Sequence, residues 1–107
     1  KNTNERRHAM SVELTVRHAE INDKVQAFAR EKGDMLVQEF PLIEHVKIVL
    51  DKDGPQYVAA FAVQGGQANT VESDARGDDF MSAISSAAEK AYVQLRKHAQ
   101  KRQEVRP

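Results

Sequence analysis

The chain has 107 residues, 40% hydrophobic and 30% charged, with sixteen basic and sixteen acidic side chains and no cysteine. That composition suits one soluble domain with a modest core, and it excludes disulfides, thiolate metal sites and cysteine nucleophiles. No apolar run approaches the roughly 18 residues of a membrane span, and no stretch has the layout of a signal peptide.

Lys1 to Ala9 is polar and aperiodic and is expected to be a leader outside the fold. Met10 is a plausible start, and residues 10–101 are expected to form a single domain. Ser11 to Val16 alternates apolar and polar residues, which predicts a half-buried strand. Arg17 and His18 leave it. Asn22 is a good helix N-cap, Asp23 suits the positive end of the first turn, and Ile21 can staple the entry. Val25, Phe28, Ala29, Leu36 and Phe40 then fall on one helical stripe, which Gly33 interrupts at a cost of about 1 kcal/mol relative to alanine. Pro41 ends the helix.

His45 to Leu50 alternates again, with Val46, Ile48 and Leu50 on one face. Residues 51–55 carry turn chemistry. Tyr57 to Val63 is apolar on both faces and predicts a central strand. Gly65 and Gly66 supply a second turn, and Ala68 to Ala75 a last strand. The short turns imply an antiparallel meander. Asp78 and Asp79 open a second helix whose buried stripe is Phe80, Ile84, Ala87, Ala88, Ala91 and Leu95. The element order β-α-β-β-β-α predicts an α+β fold, a four-stranded sheet with two helices packed on one face.

Charge is segregated along this string. Residues 10–89 hold seven basic and fourteen acidic side chains, while residues 90–107 hold six basic and one acidic, Glu104. The basic end is the candidate for phosphate contact. Helical phase brings Lys90, Lys97 and Lys101 within about 40° of one another, with Arg96 and Arg102 around the same end. Residues 102–107 are expected to be a short basic tail.

Catalytic groupings do not emerge. Gly65-Gly66 lacks the lysine and helix of a phosphate loop. No Gly-x-Ser-x-Gly elbow is present. His8, His18, His45 and His98 show no ligand spacing. Asp51 to Gly54 begins like a calcium loop, but Pro55 and the following strand break that pattern. The chain is therefore expected not to be an enzyme and to need no cofactor or metal.

Three stretches resemble the ribosome hibernation-promoting factors, also called the ribosome-associated inhibitor or sigma-factor modulation family. They are Leu14 to Asp23, Asp79 to Ile84, and Glu89-Lys90 through Gln94 to His98. The resemblance covers the chain from Met10 to about Lys101 and is closest to the short form of the family. It implies a fold similar to the double-stranded RNA-binding domain with an extra leading strand. It also implies binding to the small ribosomal subunit and its rRNA in the decoding region, which blocks translation in stress or stationary phase. A cytoplasmic protein, monomeric off the ribosome, with no membrane and no small-molecule substrate, is expected. The RNA-contacting set is then Lys90, Arg96, Lys97, Lys101 and Arg102 on the second helix, Arg76 before it, and Arg17 and His18 after the first strand. Two positions depart from the family: Val93 stands where many members carry arginine, and Gly33 where a core leucine is expected. With the acidic body, they motivate an alternative in which a diverged member acts as a protein-interaction or regulatory module without the ribosome.

Overall fold

A computed structural model describes residues 12–65 and 70–105, with side chains through Ala99. The expected leader, Ser11, the Gly66 half of the second turn and Ala68 lie outside the described residues. The elements are β1 (Val12–Arg17), α1 (Asp23–Glu39), β2 (Ile43–Asp53), β3 (Gln56–Gly65), β4 (Thr70–Gly77) and α2 (Phe80–Val105). They form one mixed sheet in the order β1-β2-β3-β4. β1 runs parallel to β2, with Leu14 beside Ile48, and β2-β3-β4 is the antiparallel meander. α2 runs on to Val105.

Local chemistry sets the boundaries. The Asn22 side chain accepts from Val25 N at 2.9 Å and caps α1, and the Phe40 N–H closes its other end on Leu36 O. Asp79 does the same for α2, accepting from Ser82 N at 2.8 Å. The β2-β3 turn is shorter than residues 51–55. Asp51 to Asp53 stay paired in β2, and only Gly54 and Pro55 turn, with Gly54 at φ +61°. Glycine reaches that left-handed region without a Cβ penalty, so two residues suffice.

Both helices cover the same sheet face. Val12, Val46, Ile48, Leu50, Ala59, Phe61, Val63, Val71 and Ala75 meet Ala29 and Leu36 of α1 and Phe80, Ala83, Ile84, Ala87 and Ala91 of α2. Full burial of Phe61, Ile48, Leu50 or Ile84 contributes about 2 kcal/mol each. Ser73 is the one polar residue in this core among the described residues; its hydroxyl donates to Ala87 O at 2.8 Å.

Gly33 has a packing reason. A Cβ there would lie 2.8 Å from Val12 Cγ1 and 3.2 Å from Ile48 Cδ1. The volume expected of a leucine is already filled by β1 and β2, and the missing side chain lets α1 lie against them. The opposite sheet face stays open. Val58, Ala60 and Ala62 of β3 remain partly exposed there, so apolarity on both faces reflects small residues on a solvated surface rather than a second covering layer.

Candidate nucleic-acid interface

The eight sequence-predicted contact residues fall into two groups. The first lies along α2, which packs antiparallel to β4. The Lys90 Nζ donates to Asp74 O at 3.0 Å, and Gln94 Nε2 donates to Glu72 O at 3.3 Å. β4 is an edge strand, and these two side chains satisfy carbonyls that would otherwise face water or another chain. Lys90 therefore has a structural bond, yet its ammonium keeps two further donors for a phosphate. Lys97, two turns on, is exposed; the rise of about 1.5 Å per residue places it roughly 10 Å along the helix.

Arg96 is exposed, and its guanidinium lies over the Tyr92 ring at 5.9 Å from the centroid. Tyr92 in turn packs edge-on against Phe40 at 5.4 Å. This ring pair ties the end of α1 to α2 and seats Arg96 by a cation–π contact. The sequence reading missed that support, although the i, i+4 spacing of Tyr92 and Arg96 carries its signal. Val93 lies on the same stretch of α2 and is 45% exposed. The backbones of Lys101 and Arg102 continue the helix, and their side chains lie outside the described residues.

The second group sits at the strand ends, beside acidic residues. Arg17 pairs in register with Asp51. His18, at φ +56°, turns the chain out of β1 and bonds through Nδ1 to Asp51 Oδ1 at 2.8 Å. That bond holds the Asp51 carboxyl below the usual carboxylate range, against a raising effect of burial and with help from the Lys52 N–H and the nearby Arg17 charge. Arg76 donates to Asp53 Oδ2 at 3.0 Å and Gln56 Oε1 at 3.4 Å. Arg17, His18 and Arg76 thus face carboxylates already in place, whereas Arg96 and Lys97 do not meet an acidic partner in the described contacts.

Of the cations on the rest of the body, Lys32 lies over the Phe28 ring at 5.1 Å and Lys52 over Tyr57 at 4.9 Å. The open sheet face is mainly acidic at its β4 side, with Glu72 and Asp74 exposed. Among the described residues, no three His, Asp or Glu side chains converge as a metal site, and no helix is long and apolar enough to cross a membrane. An apolar cavity of about 130 Å³ lies between Phe40, Ile43, Val71, Leu95 and their neighbours.

Comparison with known proteins bears on the family and the fold. Residues 12–103 match the family model described as Sigma 54 modulation protein / S30EA ribosomal protein. A ribosome hibernation promoting factor of Pseudomonas putida is 26% identical over 98 residues, covering 90% of this chain and 93% of that protein. A ribosomal subunit interface protein from Coxiella burnetii superposes with a TM-score of 0.73 at 16% identity, over 85% of this chain and 99% of its own. The N-terminal domain of Thermus thermophilus Protein Y gives 0.71 at 21% identity, over 83% and 99%. These two structures share the fold.

Proposed function

The chain belongs to the Sigma 54 modulation protein / S30EA ribosomal protein family, and from that premise we propose that it binds the small ribosomal subunit at the rRNA of the decoding region. Occupying that region blocks translation in stress or stationary phase and holds idle ribosomes in hibernation. The protein works in the cytoplasm as a binding factor, with no catalytic step of its own. The Pseudomonas putida relative carries the hibernation name, which supports this reading.

The observation that carries it is the set of exposed cations on α2. On a body with twice as many acids as bases over residues 10–89, Lys90, Arg96 and Lys97 stand exposed along one helix, and Lys101 and Arg102 follow in sequence. The line of Lys90, Lys97 and Lys101 suits a phosphate backbone, because each cation displaces condensed counterions when it binds. Arg96, whose guanidinium lies over Tyr92, is also placed to fork onto a phosphate or stack on an unpaired base. The binding domain of this reading is the stretch from residue 10 to residue 101.

Co-sedimentation with purified 30S and 70S particles tests the proposal. Binding at low salt that weakens steeply as salt rises supports it. Folded protein that stays in the supernatant at low salt contradicts it. The alternative, a protein-interaction module without the ribosome, draws on the exposed Glu72 and Asp74 and on Val93. It predicts no binding to the particles under the same conditions.

A further inference from the structure

The two edges of the sheet are treated differently. Along β4, α2 reaches over to satisfy the Glu72 and Asp74 carbonyls. Along β1, no described strand pairs on the outer side. The core-facing residues of β1 are also incompletely covered. Leu14 and Val16 are half-buried, whereas their β2 neighbours Ile48 and Leu50 are fully buried. An edge of this kind is a template for another strand.

The side chains of β1 specify which strand. On the open face it carries Glu13, Thr15 and Arg17, and His18 at positive φ ends the extended run. Two copies of β1 laid antiparallel with Thr15 on the two-fold axis bring Glu13 of each copy opposite Arg17 of the other. Thr15 then meets Thr15, and Leu14 meets Val16 on the core side. Glu13 is already beside Lys47, and Arg17 beside Asp51, within one sheet. The joined sheets therefore carry the charge row Lys47, Glu13, Arg17, Asp51 in alternating sign across the junction, and the symmetry repeats it. Opposite charges and paired threonines stabilise cross-strand neighbours, and an isologous contact needs this self-complementarity. A neighbouring in-phase register, with Leu14 on the axis, sets Glu13 against Thr15 and leaves Arg17 beyond the last pair, and one with Val16 on the axis sets Arg17 against Thr15 and leaves Glu13 without Arg17.

We propose that β1 is a self-association edge, through which two copies of this chain join their sheets antiparallel about Thr15. The sequence reading expects a monomer; the edge geometry points to a reversible dimer. One short strand pair buries little surface, so the association belongs with weak interfaces, which bury less than about 1,200 Å². The inference does not depend on ribosome binding.

Sedimentation equilibrium of the full chain at concentrations up to about 1 mM, the weak-affinity range expected of so small a contact, tests it with three samples. The wild type is expected to show a monomer–dimer equilibrium. Glu13→Arg alone and Arg17→Glu alone each place like charges opposite one another twice, and each is expected to weaken dimerisation by about tenfold. An equimolar mixture of the two variants restores both opposite-charge pairs and is expected to recover a heterodimer of wild-type strength. Both residues are exposed, and circular dichroism verifies that each variant is folded. A wild type that stays monomeric throughout overturns the proposal. So does a dimer that neither variant weakens, which would place the contact elsewhere, or a mixture that fails to recover.

Discussion

The molecule carries arginines and histidine at its strand ends and lysines and arginine along α2, and the two regions use their positive charge differently. At the strand ends Arg17, His18 and Arg76 sit across from Asp51 and Asp53. Arg76 is bonded to Asp53 and His18 to Asp51, with Arg17 beside Asp51 in register, so an approaching phosphate meets carboxylates there. Along α2, Lys90 is tied to a backbone carbonyl, Arg96 to a ring, and Lys97 projects from the helix. Neutral partners orient these side chains without cancelling their charge. A count of basic residues therefore overstates the binding surface, and the identity of each partner decides which cations remain available to RNA.

Substitutions can break this contrast. The largest effect is expected from Lys90/Lys97/Lys101→Ala. Three lost phosphate contacts at about 0.1 M salt lower ribosome affinity on the order of 100-fold, read as the dissociation constant in pelleting assays. Val93→Arg should act in the opposite direction. It adds a cation beside Lys90 and Lys97 on an exposed site, and affinity is expected to rise about fivefold at the same salt. Arg76→Ala is expected to change ribosome affinity by less than about twofold, since Arg76 is engaged with Asp53 and Gln56 and on this reading makes no phosphate contact.

The smallest effect sharpens the strand-end account. The Asp51 carboxyl is held low chiefly by its bond to His18. The folded form therefore prefers the ionised carboxylate more than the unfolded chain does. The resulting stabilisation is complete above the ordinary carboxylate value of about 3.9 and fades as pH falls through the lowered folded value. Thermal melts of the wild type and Asp51→Asn at pH 6 and pH 3 are expected to converge at the lower pH. Curves that stay equally separated would remove the carboxylate from the explanation.

Much of the fold was legible because it rests on local signals. Alternation in 11–16 and 45–50 and a continuous apolar run in 57–63 marked three of the strands, and Asn22 and Pro41 bracketed α1 where the structure has it. What was not legible depends on residues far apart in the chain. Gly33 reads as a helix cost in sequence, yet it is the contact point with Val12, 21 positions away. Residues 51–55 read as a turn because their composition suits one, whereas strand pairing extends β2 through Asp53. For the candidate interface, helical phase places Lys90 and Lys97 on one line of α2, and both are exposed there. It had no access to the Asp74 carbonyl that holds Lys90, nor to the acids that face Arg17, His18 and Arg76, because sheet register alone brings those partners together.

The salt dependence of ribosome binding measures the contrast between the two regions most directly. Dissociation constants for the wild type, Lys90/Lys97→Ala and Arg17/Arg76→Ala would be taken across a salt series. Each lost phosphate contact flattens the log–log slope by about 0.7–0.9. A slope shallower by about 1.5 for the α2 variant, with the strand-end variant parallel to the wild type, is the predicted result. Equal flattening in both variants, or flattening only in the strand-end variant, would contradict the assignment of the binding surface to α2.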